Sequence, residues 1–135
     1  MALGNRGKLS GPLLDRIDLT LEVGTLDADA LQSAPAGEAT ALVRERVQSA
    51  HARQHARQGV LNAHLDAAGI EQYCVADDRA RQLLKQAIDK LGLSARAYHR
   101  TLKVARSIAD LAGLEVIGSA QVAEAVQYRR GLPVR

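Results

Sequence analysis

The hydrophobic and polar positions of this chain change their period once, near residue 37. Residues 17–23 alternate apolar and polar side chains and predict one β-strand. Residues 25–37 are small and polar, with Pro35 and Gly37, as is typical of a linker. Because a single strand has no neighbour for its backbone groups, it is either unpaired or paired with something outside this chain. We therefore expect residues 1–36 to be largely unstructured and the chain to be a fragment.

From residue 38 onwards the apolar spacing is helical, and local signals mark where the predicted helices start or stop. We expect five helices: 40–58 before Gly59, a short one capped by Asp66, one capped by Asp77 or Asp78 and ended by Gly92, one from Ser94 to Gly113, and one capped by Ser119.

The apolar stripes of these helices predict an all-α fold, a small bundle of four to five helices. We expect three parts: a tail at 1–37, the bundle at 38–130 and a tail at 131–135 with Pro133. Helices 77–91 and 95–112 should form the most protected pair. The predicted core is Leu42, Val43, Val47, Ala50, Ile70, Tyr73, Ala80, Leu83, Leu84, Ala87, Ile88, Leu91, Ala97, Thr101, Leu102, Ala105, Ile108, Ala109, Ala112, Val122, Ala123 and Val126.

The composition is that of an ordinary globular domain. The chain has 135 residues, of which 47% are hydrophobic and 24% charged, and no apolar run is long enough to span a membrane. It starts without a secretory signal, and its one cysteine, Cys74, follows Tyr73 on an apolar stripe. We expect a cytoplasmic protein with a buried structural thiol.

Charge and aromatic content narrow the choice of partners. Only 2% of the residues are aromatic, which argues against a protein that stacks bases on aromatic side chains. The net charge is +3, but residues 1–37 carry −2 and residues 93–113 carry +3. This distribution fits either a solvated, slightly basic surface or a partner that bears phosphate.

The motifs that would complete an active site are absent from the sequence. There is no GxxxxGK[ST] and no GxGxxG, so we expect that the chain alone is not an enzyme. His51 and His55 have the i, i+4 spacing of metal ligands, but the residues between them are Ala-Arg-Gln, without glutamate. We expect these two histidines to be exposed and no metal to bind. Asp77 and Asp78 are interpreted as a helix cap and not as an acid–base pair.

Two arginines stand in unusual settings. Arg16, in the segment Ser10-Gly-Pro-Leu-Leu-Asp-Arg-Ile-Asp18, would lie between a helical turn and the strand, unless it only pairs with Asp15 or Asp18 at the surface. Arg96 falls in the first turn after the cap at Ser94, where a cation opposes the helix dipole. An anion such as phosphate would compensate that position.

Four segments of the chain resemble a known family. They are 10–19 (SGPLLDRIDL), 57–63 (RQGVLNA), 92–111 (GLSARAYHRTLKVARSIADL) and 124–129 (EAVQYR). In this order they resemble the C-terminal part of the bacterial magnesium-chelatase-like AAA+ ATPases of the YifB/ComM family. The resemblance spans nearly the whole chain, and the first and third segments are the most specific.

The resemblance implies a lid domain whose ATPase core lies upstream. By this resemblance Arg16 is an arginine finger that acts in trans, and Arg96 is the sensor 2 arginine that contacts the γ-phosphate of ATP. The full-length protein would use ATP and Mg²⁺, carry Walker A and Walker B segments and form a ring, expected to be a hexamer, that acts on DNA. The fragment itself is expected to be a monomer without bound cofactor. The resemblance assigns no role to Lys8 or to the four histidines.

Two alternatives come from the residues themselves. Arg96, Arg100 and Lys103 recur at i, i+4 and i+7, so one basic helix face could bind DNA as a standalone module. A purely structural interaction module needs no site, and it predicts that Arg96→Ala has no effect.

Overall fold

The computed structural model describes residues 10–33 and 35–130, and within these ranges its regular structure is helical. The prediction of an all-α fold is confirmed. Lys8 and the predicted tail at 131–135 lie outside the described residues. The helices are α1 (Gly11–Asp15), α2 (Ala28–Ser33), α3 (Thr40–Gln58), a 3₁₀ turn (Asn62–His64), α4 (Ala67–Tyr73), α5 (Asp78–Leu91), α6 (Ala95–Leu111) and α7 (Ser119–Arg130).

The predicted caps set most of the helix ends. Asp66, Asp77 and Ser94 each accept a hydrogen bond from the backbone N–H three residues ahead, at the starts of α4, α5 and α6. Gly59 and Gly92 end α3 and α5 in the left-handed conformation, with φ of 79° and 60°.

The predicted cap at Ser119 needs correction. Ser119 is already the first residue of α7, and the carbonyl of Gly118 accepts the hydrogen bond from Val122 N–H. Gln121 completes the cap, because its Oε1 accepts from Gly118 N–H at 3.0 Å. The side-chain contact at this helix start is thus made by a glutamine on the Gly118 N–H, and not by a serine hydroxyl on the N–H groups inside the helix.

The core lies where α7 packs against both α5 and α6. The contact of α7 with α6 is the most extensive between any two described helices, so the pair predicted from 77–91 and 95–112 is joined through α7. Leu84 and Leu102 are buried as predicted, whereas Ala112 and Ala123 are exposed. The core consists of Leu65, Ile70, Cys74, Ala76, Ala80, Leu84, Leu102, Ala105, Ala109, Ile117, Val122 and Ala125.

The apolar stripe predicted for the start of α3 is not buried. Leu42, Val43 and Val47 are 54%, 38% and 39% exposed, and Ala50 is the first buried residue of this helix. The reason is that α3 packs on α6 through its C-terminal half, where Gln54 is buried. The first ten residues of α3 are exposed throughout.

The N-terminal part also differs from the expectation of an unstructured tail. Residues 17–27 form neither a helix nor a β-strand, and no second strand is present among the described residues with which they could pair. Residues 10–20 nevertheless lie against the bundle: Leu14 is buried, and Thr20 N–H donates to the carbonyl of Tyr128 at 3.0 Å. Pro12 stands in the first turn of α1, as predicted.

Candidate functional site

Arg96 lies in the first turn of α6, and its side chain is exposed. No described residue donates to it, accepts from it or forms an ion pair with it. The first turn of α6 holds no acidic residue, and the hydroxyl of Ser94 satisfies only the N–H of Ala97, at 3.1 Å. The backbone N–H groups of Ala95 and Arg96 therefore remain open at the positive end of a 17-residue helix.

An open groove of about 370 Å³ runs beside this turn. Three further basic side chains from α6 line it with Arg96, while Leu65, Ala67 and Ile70 form its apolar part. Two of these side chains already have partners: Arg100 binds the Asp18 carboxylate, and Lys103 donates to the carbonyl of Ala63. The basic lining is Arg96, His99, Arg100 and Lys103.

Arg16 ends α1 as its C-terminal cap, and its side chain is exposed. The surface ion pair considered for it, with Asp15 or Asp18, is not present among the described residues; Asp18 instead binds Arg100, with Nη1 at 2.7 Å from Oδ1. This ion pair connects the segment two residues beyond Arg16 with the helix turn that follows Arg96. The structure thus joins the segments of the two predicted site arginines, and neither arginine has a side-chain partner among the described residues.

A buried polar network, which the sequence patterns did not predict, holds the other end of α6. Asp110 is almost fully buried, and its two oxygens accept from Arg57 at 2.7 and 3.0 Å. Asn62 donates to the same carboxylate at 2.9 Å and accepts from both Arg57 and Gln58. The Asn62 backbone N–H donates to Gln54 at 2.8 Å. The network therefore connects the end of α3, the 3₁₀ turn and α6.

Arg106 extends this network towards α7. Its guanidinium donates to the carbonyls of Leu114 and Glu115 at 2.5 and 2.6 Å and lies 3.2 Å from Asp110. Burial lowers the pKa of Arg106. Burial alone raises the pKa of Asp110, but hydrogen bonds from Arg57 and Asn62 and the charge of Arg106 lower it below its usual value.

A sequence signal for this network exists. Arg106 and Asp110 stand four residues apart and continue the line of Leu102, beside Ala105 and Ala109 on the buried face. Opposite charges at i, i+4 within an apolar stripe indicate a buried pair.

Arg129 is a second buried guanidinium, at the end of α7. It is 6% exposed, and the one hydrogen bond of its side chain to a described residue runs from Nη1 to the carbonyl of Leu14 at 3.5 Å. Its Nε and Nη2 have no partner within the described part of the chain. Burial lowers the pKa of Arg129, and the negative charges of Asp18 and Asp15 oppose that shift.

The remaining candidate residues carry no site. Cys74 is buried as predicted, and burial raises the pKa of its thiol to about 11. His51 and His55 are exposed. Within residues 10–33 and 35–130, no group of three His, Cys, Asp or Glu residues could hold a metal ion, and no helix is long and apolar enough to cross a membrane.

Comparison with known families identifies the domain. The family model of the magnesium chelatase subunit ChlI C-terminal domain matches residues 37–129, most of the chain. This chain belongs to that family. The matched range of the magnesium chelatase C-terminal domain includes Arg96, the Asp110 network and Arg129, whereas Arg16 and Asp18 precede it.

Curated relatives support the closer resemblance to the C-terminal part of YifB/ComM proteins. Competence protein ComM of Haemophilus influenzae is 47% identical over 123 residues, which cover 90% of this chain and 24% of ComM. YifB of Salmonella typhimurium and YifB of Escherichia coli are 46% and 43% identical over the same shares of each chain. This magnesium chelatase C-terminal domain thus spans about a quarter of the length of these relatives.

Proposed function

We propose that this domain is the lid of a magnesium-chelatase-like AAA+ ATPase, which couples ATP binding and hydrolysis to movements within an oligomeric ring in the cytoplasm. The observation that carries the proposal is the unpaired Arg96 at the positive end of α6. A cation there is unfavourable without an anion, and the open N–H groups beside it favour one. The γ-phosphate of ATP, bound by an upstream core in the same polypeptide, is the anion that fits this role.

In this proposal Arg96 acts on the nucleotide of its own subunit. The lid closes over the core of the same chain, and the guanidinium donates to the phosphate oxygens, so that lid position follows nucleotide state. The core would supply the phosphate loop and the Mg²⁺ ligands, since this sequence has no GxxxxGK[ST] and contributes Arg96 to the site. ATP and Mg²⁺ are therefore expected to bind the full-length protein and not this domain alone.

Arg16 acts on the ATP of a neighbouring subunit. Its side chain is exposed and unpaired within the described residues, as a residue that reaches across a subunit interface must be. An arginine finger stabilises the negative charge that spreads over the transferring phosphoryl group, and it changes the rate by about 10³- to 10⁵-fold.

The test is a mixed-subunit ATPase assay on the full-length protein that contains this domain. Arg16→Ala and Arg96→Ala should each abolish most hydrolysis. Arg16→Ala should recover when mixed with subunits whose phosphate loop is inactivated but whose Arg16 is intact, because the finger acts in trans. Arg96→Ala should not recover in the same mixture. Arg79→Ala, at an exposed arginine of α5 with no partner among the described residues, is the matched control and should retain activity.

Three results would contradict the proposal. Equal rescue of both variants would show that the two arginines do not act on different sites. Full activity of Arg96→Ala would favour the structural interaction module. Tight ATP binding by the 135-residue chain alone would show that the nucleotide site is not mostly upstream.

DNA is a second candidate ligand, favoured by the basic lining of the groove. Against it, Arg100 and Lys103 already bind Asp18 and Ala63, which leaves Arg96 as the freest of the three cations. If the groove binds duplex DNA, affinity should fall steeply between about 50 and 200 mM salt, because each phosphate contact releases counterions. Lys103→Ala should then reduce the salt slope. Weak DNA binding that does not depend on salt would indicate that this groove does not bind DNA and that any DNA contact lies in another part of the ATPase.

A further inference from the structure

The bundle holds residues 14–20, which we call the finger segment, at three points. Arg100 binds Asp18 at 2.7 Å, Thr20 N–H donates to Tyr128 O at 3.0 Å, and Arg129 donates to Leu14 O at 3.5 Å. These contacts come from both α6 and α7, and they flank Arg16 in the sequence. Arg16 itself takes part in none of them.

The contact at Arg129 is unusual, because a buried guanidinium is normally saturated with acceptors. Here two of its nitrogen atoms have no partner among the described residues, and its only acceptor is a carbonyl of the finger segment. A buried arginine so poorly paired contributes little to the stability of the bundle. The position of Arg129 is explained better by its contact with the finger segment than by a contribution to the stability of the bundle.

The contact at Arg100 adds a connection along α6. Arg100 stands four residues after Arg96 and lines the same groove, while Asp18 stands two residues after Arg16. The first turns of α6 are therefore connected to the finger segment by an ion pair whose two side chains are 31% and 50% exposed. Exposed pairs of this kind are weak and can open and close.

We propose that Arg100 and Arg129 are positioning residues that fix the finger segment to the lid, so that the lid aims Arg16 at the neighbouring subunit. Contact of Arg96 with the nucleotide of one subunit thereby affects the position of Arg16, and Arg16 in turn acts on the ATP of the next subunit. The inference rests on the proposed function for the role of Arg16, but the attachment itself can be tested without ATP.

The first experiment measures hydrogen exchange of the Thr20 amide in the 135-residue chain. Asp18→Asn and Arg100→Gln should each speed its exchange by about two- to five-fold, as loss of an exposed ion pair implies. The charge-reversed double variant, Asp18→Arg with Arg100→Asp, should restore protection. Asp89→Asn, an exposed carboxylate of α5 with no described partner, is the matched control and should leave exchange unchanged.

Arg129→Met separates positioning from structural support. It replaces a poorly paired buried charge with an apolar side chain of similar length, so the melting temperature should stay the same or rise. Exchange at Thr20 should nevertheless become faster, because Leu14 O loses its contact with α7. If Arg129 only supported the bundle, its replacement would lower the melting temperature as well as speed exchange at Thr20.

The second experiment is steady-state hydrolysis by the full-length ATPase. Asp18→Asn should lower kcat by about two- to five-fold with the KM for ATP unchanged, because a finger contributes in the transition state. Unchanged Thr20 exchange in every variant, or no restoration by charge reversal, would overturn the attachment. Faster exchange with normal kcat, where Arg16→Ala is inactive, would overturn the positioning role. If Arg16→Ala is itself fully active, the finger assignment fails while the attachment stands.

Discussion

Both ends of α6 carry an arginine, and the fold surrounds the two arginines in opposite ways. At the C-terminal end, Arg106 and Asp110 are buried and form an ion pair, and Arg57 pairs with the same carboxylate. At the N-terminal end, Arg96 is exposed, and no described residue pairs with it. The comparison teaches that charge pattern alone does not mark a site. An arginine is available to a ligand when the fold leaves it unsatisfied in a place where an anion is favoured.

The largest loss of stability is expected when the Asp110 network at the C-terminal end of α6 is disrupted. Asp110→Ala leaves Arg57 and Arg106 beside each other without a counter-charge, and it should reduce the free energy of unfolding by about 3–5 kcal/mol. Urea denaturation of the 135-residue chain measures this. Asp89→Ala, at an exposed carboxylate, should cost less than about 0.5 kcal/mol. A loss at Asp110 as small as that of the control would mean that the network is not closed in solution.

The next-largest effect is expected from the apolar packing between the two ends of α6. Leu102 lies in the middle of α6 at 6% exposure, and Leu84 faces the same core from α5 at 3%. Truncation of either to alanine should cost about 2–5 kcal/mol by loss of burial and creation of a cavity. Unaltered melting of both variants would place the core elsewhere.

Low pH should selectively weaken the C-terminal end of α6, where Asp110 is paired with arginines. The folded state lowers the pKa of Asp110, through Arg57, Asn62 and Arg106, despite the opposing effect of burial. Folding therefore favours the ionised carboxylate. The stabilisation is present above the unfolded pKa of about 3.9 and is lost as the pH falls through the lower folded value. Denaturation at about pH 7 and about pH 3 should show a smaller acid loss in Asp110→Asn than in the unaltered chain.

The N-terminal end of α6, where Arg96 has no partner among the described residues, should bind free ATP only weakly. Arg96 and its neighbours can reach phosphate oxygens, but nothing in this chain is expected to recognise the base or to cradle the remaining phosphates. We expect a dissociation constant weaker than about 1 mM for ATP in calorimetric titration of the 135-residue chain. Micromolar binding would contradict the view that this end only completes a site formed elsewhere.

Helix boundaries could be predicted because their causes are local. A capping carboxylate or hydroxyl lies three residues from the N–H it accepts, as at Asp66, Asp77 and Ser94, and glycine marks the ends at Gly59 and Gly92. Such signals are complete within a few residues of sequence.

Burial was harder to predict, because it depends on partners far along the chain. Asp110 is buried because Arg57 reaches it from 53 residues away, and the apolar Leu42 and Val43 are exposed because no described residue packs over the start of α3. The attachment of the finger segment likewise depends on Asp18 meeting Arg100, 82 residues later. The roles of Arg16 and Arg96 came from family resemblance, and they stay predictions; the structure adds that both side chains are exposed.

The most direct test of the account is one substitution measured in two ways. Arg96→Ala should leave the melting temperature of the 135-residue chain unchanged, because the exposed side chain has no partner to lose among the described residues. In the full-length protein, which we propose is an ATPase, the same change should remove most hydrolysis, without rescue by intact neighbouring subunits. An Arg96→Ala chain that melts lower, or a full-length enzyme that keeps its activity, would contradict the claim that this arginine is left unpaired for a phosphate.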